Sequence, residues 1–395
     1  MTAWLLALAL AAPPYEVWRR QILETLHVPQ PLPALNAERH GEFIAEAGVI
    51  VERVSYSTQL GMRVPAIVYR PERAARGPAL IVVNGHGGDK YAWYANYSGI
   101  AYARLGFVVL TYDPAGEGER NPERRSGTRE HDRVVPPEEN GRWLGGLMIT
   151  DVMQAVSYLS SRPDVDSSRI TAAGYSMGSF VLSLACAVET RLGACVLVGG
   201  GNLDGPGEHW DRSKPMCQGI PYRSLAFLGD RAAAIYSMHA ARGRTLIYNG
   251  WEDSVVAIPT HREDFFADMR QRVVKLRGGN AEGVFDFEFL PGASHRPFFV
   301  TKPVVLWLAR ALRLPAALVD EIQGVPETRI AGWAADNRIR LDPLYASYDR
   351  EGGTLAIGRG ITALTRLQLS VFEEASWLRN RDQLIHEAWL ARIPR

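Results

Sequence analysis

The chain has 395 residues, 47% of them hydrophobic and 22% charged, and its formal net charge is +1. This composition is typical of a packed globular protein, and the length allows one large α/β domain with additions, or two domains. Because the charges nearly cancel, composition gives no electrostatic reason to expect a nucleic-acid partner.

The first residues contain a short apolar run, residues 4–11, that ends in Ala9-Leu10-Ala11. This run resembles the apolar core of a secretory signal with a cleavage site before Ala12, although the three residues before it lack Lys and Arg. We therefore expect residues 1–11 to be a signal peptide and the protein to be periplasmic or secreted. An uncleaved extension on a cytoplasmic protein is the alternative. No segment is long and apolar enough to span a membrane.

Residues 12–44 are predicted to form an N-terminal helical extension. Residues 15–27 carry apolar positions at helical spacing, and the proline-rich residues 29–33 end that helix. Residues 49–56 and 63–69 then predict two strands that pair as an antiparallel edge.

From Ala79 onward, strands alternate with helices. Continuous apolar runs predict strands that are buried on both faces of a sheet. The alternation predicts a mostly parallel, doubly wound sheet with right-handed crossovers, and we expect the catalytic domain to span residues 45–313. Residues 314–395 are predicted to be an accessory region, mainly helical, that docks on it. The predicted strands are 80–83, 107–112, 169–173, 195–198, 245–248 and 285–290.

The stretch Gly174-Tyr175-Ser176-Met177-Gly178 lies between a predicted strand and a small, apolar predicted helix. A Gly-x-Ser-x-Gly turn in this context is typical of a nucleophile elbow, in which glycines tolerate the crowding and the serine hydroxyl stands above the sheet. We therefore predict that Ser176 is a nucleophile.

A serine hydroxyl needs a base to remove its proton, and the base is usually a histidine oriented by a carboxylate. Asp253 follows the predicted strand 245–248, and Glu252 is the reserve candidate for the acid. His295 lies in a turn of small residues after the last predicted strand, which makes it the candidate base. The order Ser, acid, His is the order found in α/β-hydrolases.

An oxyanion hole requires two backbone N–H groups directed at the developing charge. Met177, directly after the serine, is expected to supply one. The other is expected from the turn Asn84-Gly85-His86-Gly87-Gly88, either from His86 or from Gly88. We favour His86, because counting the turn from the end of the preceding strand preserves the predicted length of that strand.

Together these motifs resemble the α/β-hydrolase superfamily over residues 45–313, and within it the acetyl xylan esterase and dienelactone hydrolase-like group. Two positions differ: dienelactone hydrolases use a cysteine where this chain has Ser176, and one branch of the acetyl xylan esterases has Gln where Met177 stands. The resemblance implies an α/β-hydrolase fold and a serine carboxylesterase without a cofactor. Its substrate would be a small-molecule or carbohydrate ester.

Two alternatives remain. A serine peptidase of the prolyl-oligopeptidase type has the same triad and fold, but usually carries a large N-terminal propeller, for which the residues before the first predicted strand leave no room. A non-catalytic binding protein of the same fold would need a broken triad, and every expected residue is present.

Substrate contacts are expected from the excursion between residues 202 and 223. Trp210, Tyr222 and Arg223 are the candidates, with packing of this excursion against the domain as the alternative for the aromatic rings. The charged loop from Asp113 to Asn140 is expected to form a self-neutralising network at the surface, with ligand binding as its alternative.

The three cysteines show no Cys-x-x-Cys pattern, and the histidines show neither His-x-His nor His-Glu-x-x-His. We therefore predict no metal site and no disulfide framework. Cys186 and Cys195 lie in apolar runs and are expected to be core thiols.

Overall fold

A nine-stranded sheet forms the centre of the protein. Its strand order is β1-β2-β3-β5-β4-β6-β7-β10-β11. The structure, a computed structural model, describes residues 14–73, 76–133, 137–205, 208–209, 217–256, 258–278, 285–341 and 354–394.

The sheet is parallel except at its N-terminal edge. β1, β2 and β3 pair antiparallel with one another, β3 pairs antiparallel with β5, and the remaining pairs are parallel. The predicted fold, a mostly parallel sheet with antiparallel N-terminal edge strands, is confirmed. The strands of the sheet are β1 (Glu38–Glu46), β2 (Val49–Ser57), β3 (Arg63–Pro71), β4 (Gly77–Val83), β5 (Val108–Tyr112), β6 (Val165–Tyr175), β7 (Leu192–Val198), β10 (Arg244–Gly250) and β11 (Phe285–Leu290).

Two small antiparallel pairs lie outside this sheet. One joins β8 (Asp204–Gly205) to β9 (Glu208–His209), and the other joins β12 (Glu327–Arg329) to β13 (Leu355–Ile357). The first pair belongs to the excursion after β7, and the second belongs to the C-terminal region.

Helices cover both faces of the sheet, and each face has its own apolar core. α1, α3, α4, α6 and α7 contribute to one core, and α2 and α8 contribute to the other together with C-terminal helices. The helices are α1 (Tyr15–Thr25), α2 (Trp93–Arg104), α3 (Glu139–Ser160), α4 (Met177–Val188), α5 (Gly219–Arg223), α6 (Arg231–Ala240), α7 (Ile258–Arg277), α8 (Lys302–Ala311), α9 (Ala316–Gly324), α10 (Ile330–Asp336), α11 (Arg366–Leu369), α12 (Glu374–Leu384) and α13 (His386–Leu390).

The edge strand β1 is absent from the sequence-based prediction, and the boundary predicted between residues 44 and 45 falls inside it. Four of its nine residues are charged and five are exposed, so its sequence lacks the continuous apolar run of a buried strand. Charged residues are common on edge strands because they discourage pairing with another chain.

The cysteines correct a second prediction. Cys186 in α4 and Cys195 in β7 form a disulfide, whereas the sequence analysis expected two free core thiols. Both residues are buried in apolar surroundings, as their neighbours in sequence suggested. Cys217 is the free cysteine.

The C-terminal region is bound to the loop that follows β5. The buried carboxylate of Glu119 accepts hydrogen bonds of 2.9 Å from the backbone N–H groups of Val371 and Phe372. The Trp377 indole donates to the backbone carbonyl of Glu119 at 2.9 Å. Lys90 lies beneath them, with its ammonium group 2.9 Å from Glu119 and 2.5 Å from Asp113. The charged loop is therefore self-neutralised as predicted. Its residues Asp113, Glu117, Glu119 and Arg120 are buried, whereas Glu123, Arg125 and Arg129 lie at the surface.

Aromatic side chains anchor the rest of the region. Trp333, Trp377 and Trp389 are buried, as their apolar character suggested. Ile385, which has an extended backbone, separates α12 from α13 in this region. Leu344 and Tyr348 lie outside the described residues.

No helix within the described ranges is long and apolar enough to cross a membrane. The apolar run at residues 4–11, interpreted as a signal peptide, lies outside those ranges.

Candidate active site

Ser176 occupies a strained turn between β6 and α4. Its φ is 51° and its ψ is −120°, a left-handed conformation that is costly for a residue with a side chain. Its N–H donates to the carbonyl of Val198 at 2.8 Å, which fixes the turn against β7. Such strain is typical of a nucleophile elbow.

The glycines on either side of Ser176 are required by close backbone contacts. A Cβ atom on Gly174 would lie 2.5 Å from the Gly178 carbonyl oxygen, and one on Gly178 would lie 2.1 Å from the Val83 carbonyl oxygen. Both distances are too short for a side chain. The Gly-x-Ser-x-Gly pattern is therefore explained by steric exclusion at each glycine.

Asp253 and His295 form a hydrogen-bonded pair. The Oδ2 atom of Asp253 lies 2.8 Å from the Nδ1 atom of His295. The Oδ1 atom accepts the N–H groups of Val255 and Val256 at 3.1 and 3.2 Å, which fixes the rotamer of the fully buried carboxylate. Glu252, the reserve candidate, is exposed.

The His295 ring lies next to the elbow. Its centroid is 5.1 Å from that of Tyr175, and the Tyr175 hydroxyl donates to the His295 carbonyl at 3.3 Å. A Cβ atom on Gly199 would lie 2.7 Å from Cε1 of the imidazole. With Nδ1–H donated to Asp253, Nε2 carries the free lone pair of the neutral ring, which is the form a base requires. The structure thus gathers the three predicted residues at the carboxyl ends of β6, β10 and β11.

The turn after β4 is packed against the serine. A Cβ atom on Gly85 would lie 3.1 Å from Cβ of Ser176 and 2.9 Å from the Tyr175 carbonyl oxygen. The N–H of Gly85 donates to the Tyr94 hydroxyl at 3.3 Å, and that of Gly88 donates to the Gly85 carbonyl at 3.0 Å. The bond made by Gly88 favours His86 over Gly88 as the second oxyanion donor.

Met177, the other predicted donor, is the first residue of α4. N–H groups in the first turn of a helix have no carbonyl partner within the helix, and they lie at its positive end. Met177 as a whole is buried.

The loop after β5 extends to the same side of the site. Glu117 is buried and accepts the N–H groups of Arg129 and Thr128 at 2.8 and 3.1 Å. Burial nevertheless raises the pKa of Glu117 to about 7. These bonds shape the turn that carries His131 and Asp132.

His86, His131, Asp132 and Cys217 are brought together from three separate parts of the chain. Burial, with a smaller contribution from His86, lowers the pKa of His131 to about 4. Burial, followed by the charge of Asp132, raises the pKa of the Cys217 thiol. The sequence analysis did not connect these residues, because 131 positions separate His86 from Cys217.

The predicted substrate contacts have different positions. Tyr222 is fully buried, with its hydroxyl 2.9 Å from Asp204 and the Arg231 guanidinium over its ring. It therefore packs the excursion against the domain, the alternative kept open above. Arg223 is exposed, and Trp210 lies outside the described residues.

The sequence profile of the prolyl oligopeptidase family matches residues 93–299, just over half of the chain. The matched segment contains Ser176, Asp253 and His295. The chain belongs to the prolyl oligopeptidase family. This family lies within the α/β-hydrolase superfamily, so the superfamily predicted from the motifs is confirmed.

Individual proteins match the chain at low identity. YtaP, a Bacillus subtilis protein named as a hydrolase, is 28% identical over 159 residues, which are 37% of this chain and 52% of YtaP. The hydrolase ORFZ of Pyricularia oryzae is 29% identical over 38% of the chain and 32% of its own length. The chain thus spans about half or less of these relatives. The protein PA2218 of Pseudomonas aeruginosa is 24% identical over 79% of the chain and 75% of its own length.

Solved structures share the fold at still lower identity. Methylesterase BT1017 has a TM-score of 0.57 and 18% identity, covering 93% of this chain and 75% of that one. Acetyl xylan esterase 1 from Thermoanaerobacterium has a TM-score of 0.53 and 17% identity, covering 77% of this chain and 95% of the esterase. A glucuronoyl esterase from Solibacter usitatus has a TM-score of 0.53 and 14% identity, covering 74% of this chain and 91% of the esterase. These structures agree with the α/β-hydrolase fold that the family membership gives the chain.

Proposed function

We propose that this prolyl oligopeptidase family member is a serine esterase that cleaves carboxylic esters through an acyl-enzyme. The observation that carries the proposal is the buried Asp253–His295 pair, 2.8 Å between Oδ2 and Nδ1, beside a serine held at a φ of 51°. Strain at a non-glycine residue next to such a pair is typical of a nucleophile and its base.

The roles of the residues follow from their positions. Ser176 Oγ attacks the ester carbonyl while His295 Nε2 takes its proton, and Asp253 stabilises the imidazolium. The N–H groups of Met177 and His86 donate hydrogen bonds to the carbonyl oxygen and stabilise the negative charge that develops on it. His295 then protonates the leaving alcohol. Water, activated by His295, releases the carboxylic acid from Ser176.

An ester substrate is supported by the resemblance of the motifs to the acetyl xylan esterase group and by the names of proteins with the same fold. Those names include a methylesterase, an acetyl xylan esterase and a glucuronoyl esterase. We infer that a small-molecule or carbohydrate ester is the substrate. Arg223, which is exposed, and Trp210, which lies outside the described residues, remain the proposed contacts, whereas the buried Tyr222 is not retained.

A peptidase is the second candidate, because the matching family is that of prolyl oligopeptidase. Both activities use the same triad, and they differ in the leaving group. An ester expels an alcohol, whereas a peptide must have its amine protonated as it leaves.

The test compares hydrolysis of p-nitrophenyl acetate with that of an alanyl p-nitroanilide, followed by labelling with an organophosphonate. We expect turnover of the ester and an adduct on Ser176, both lost in Ser176→Ala. Ser183→Ala is the matched control, since Ser183 lies in the same helix with its hydroxyl bonded to the Phe180 carbonyl at 2.8 Å. Turnover of the anilide alone would establish the peptidase. Full ester activity in Ser176→Ala would exclude this nucleophile.

We also infer export to the periplasm or the medium. The apolar run at residues 4–11 and the Cys186–Cys195 disulfide support this inference, because structural disulfides persist mainly in oxidising compartments. Fractionation of cells that express the full chain tests it. Protein found only in the cytoplasm, with its N-terminal Met present, would contradict it.

A further inference from the structure

Four potential metal ligands meet beside the turn that carries His86. His86 follows β4, His131 and Asp132 belong to the loop after β5, and Cys217 belongs to the excursion after β7. One donor atom from each side chain lies within 4.8 Å of the other three. Two imidazoles, a carboxylate and a thiol are the side chains from which proteins build zinc sites.

The spacing of these atoms matches that of ligands around one ion. Asp132 Oδ1 lies 3.0 Å from His86 Nε2, 3.3 Å from Cys217 Sγ and 3.6 Å from His131 Nε2. His86 Nε2 lies 3.2 Å from Cys217 Sγ. Ligands around a tetrahedral zinc, with bonds of about 2.0–2.3 Å, are about 3.3–3.8 Å apart. Small side-chain shifts would therefore admit the ion.

His131 supplies an independent indication that a cation belongs in this cluster. Its ring is fully buried, and Nδ1 lies 2.8 Å from the Ala115 carbonyl oxygen, which can only accept a hydrogen bond. Nδ1 therefore carries the proton, and Nε2 of the neutral ring presents a lone pair. Nε2 has no hydrogen-bond partner among the described residues, and the polar atom it faces, Asp132 Oδ1, is also an acceptor. A buried lone pair directed at a carboxylate is costly unless a positive charge lies between them.

Surrounding groups orient three of the ligands. Arg129 Nε donates to Asp132 Oδ2 at 2.6 Å, which leaves Oδ1 for the ion. The Gln218 amide nitrogen lies 3.4 Å from His86 Nδ1, and rotation of that amide would present an acceptor for the Nδ1 proton. The Ala115 carbonyl fixes His131. Outer partners of this kind hold ligands in metal sites and tune their affinity.

We propose that His86, His131, Asp132 and Cys217 bind one divalent transition-metal ion, for which zinc is the best match. Four protein ligands leave no open position, which is the arrangement of a structural site. The ion joins the turn after β4, the loop after β5 and the excursion after β7. By joining these three segments, the ion acts as a metal clamp that holds the turn carrying His86 in place. The effect of this metal clamp on catalysis rests on the proposed function, whereas metal binding does not.

The first experiment measures metal in the full chain, purified without a histidine tag after growth with zinc. We expect about one zinc per chain in the wild type and a loss of most of it in Cys217→Ser and His131→Asn. His27→Asn is the matched control, because His27 is a half-buried histidine outside the cluster, at a φ of 54° that Asn tolerates. Wild-type protein without bound zinc, or Cys217→Ser with the full content, would overturn the proposal.

Cobalt(II) provides a spectroscopic readout that does not depend on activity. Wild-type protein reconstituted with cobalt should show the visible bands of a tetrahedral site and a thiolate-to-cobalt charge-transfer band. Cys217→Ser should lose that band. Arg129→Gln should lower the affinity for cobalt by about 10- to 100-fold, the usual effect of losing an outer partner. An octahedral spectrum without a thiolate band would overturn the site even if zinc were bound elsewhere.

A third measurement separates this proposal from the proposed function. Removal of zinc with a chelator should lower the Tm and kcat, and readdition should restore both. The Tm should fall when zinc is removed, because a ligand that binds only the folded state stabilises that state. Organophosphonate labelling of Ser176 tests the serine chemistry on its own. Metal-free protein that hydrolyses the ester at the wild-type rate, and of which a parallel sample is labelled at Ser176, would refute the metal clamp and leave the esterase intact.

Discussion

The buried carboxylate of Glu119 accepts a hydrogen bond of 2.9 Å from the backbone N–H of Phe372, 253 residues further along the chain. The same carboxylate contacts Lys90 at 2.9 Å and Arg124 at 2.9 Å. One side chain therefore connects the C-terminal region to the loop after β5 and to the ionic cluster beneath it.

Glu119→Gln is expected to lower the free energy of unfolding by about 3–5 kcal/mol, the usual effect of removing one partner of a buried ion pair. Lys90 and Arg124 would each lose part of their neutralising charge. Glu374→Gln is the control, because that exposed carboxylate pairs with Arg124 at 3.4 Å, and exposed pairs contribute about 0–1 kcal/mol. Urea unfolding and limited proteolysis measure both. Equal stability of the two variants would show that Glu119 does not anchor the region.

Asp253→Asn is expected to lower kcat by about 10⁴-fold, as the loss of the triad carboxylate does in serine proteases. The amide would favour the wrong tautomer of His295 and remove the charge that stabilises the imidazolium. Glu252→Gln, an exposed neighbour, should leave kcat within about twofold of the wild type. Steady-state kinetics on p-nitrophenyl acetate measure kcat for both variants and the wild type. A larger loss in Glu252→Gln would reassign the acid.

Gly199→Ala should lower kcat by about 100-fold while the protein remains folded. The new methyl group would meet Cε1 of His295 at 2.7 Å and displace the ring, and an error of about 1 Å in a catalytic group can cost that factor.

Gly229→Ala is the matched control for Gly199→Ala. Gly229 has a φ of +70° against +66° for Gly199, yet no atom lies within 4 Å of its added Cβ. Both variants place an alanine at a similar positive φ, and the clash with His295 is present only in Gly199→Ala. Equal kcat values in the two variants would show that His295 tolerates the methyl group.

Stability should fall as the pH is lowered from about 6.5 toward 4, partly through His239. Burial lowers the pKa of His239 to about 4, so the unfolded chain binds a proton near pH 6.5 that the folded chain does not accept. The contribution of this neutral histidine is complete above pH 6.5 and is lost as the pH falls toward 4. This contribution of His239 to the free energy of unfolding is at most about 3 kcal/mol.

His239→Asn tests this titration, because an amide can replace the 2.8 Å contact of Nδ1 with Thr245 but has no proton to gain. Its free energy of unfolding should depend less steeply on pH between 6.5 and 4. At pH 8 neither the histidine nor the asparagine is charged. The difference in free energy of unfolding between the wild type and His239→Asn at that pH therefore measures the packing cost of the substitution without any titration. An unchanged pH slope would remove His239 as a source of acid sensitivity.

Thiol counting tests the disulfide. Protein exported from cells and unfolded without reductant should show one reactive thiol, Cys217, and three after reduction. Loss of the bond should lower the free energy of unfolding by about 2–3 kcal/mol, as for short loops in general. Three thiols in the unreduced sample would contradict the bond.

The fold could be predicted from the sequence because the buried strands are continuous apolar runs and the elbow has its own glycine pattern. β1 escaped prediction because an exposed edge strand shows no such pattern. The Cys186–Cys195 bond joins a helix to a strand, and each cysteine on its own resembles an ordinary core residue. The cluster around His86 was missed for a related reason, since its ligands follow different strands and only the folded sheet brings them together.

Glu119 also sets the order in which the molecule can be completed. Domains generally begin to fold during synthesis from the N-terminus, so β1 to β11 can assemble while the rest of the chain is still being made. Glu119 then lies beside Lys90 but lacks its partners Val371, Phe372 and Trp377. These three residues belong to the C-terminal region, so the loop after β5 gains their hydrogen bonds only after that region has been made.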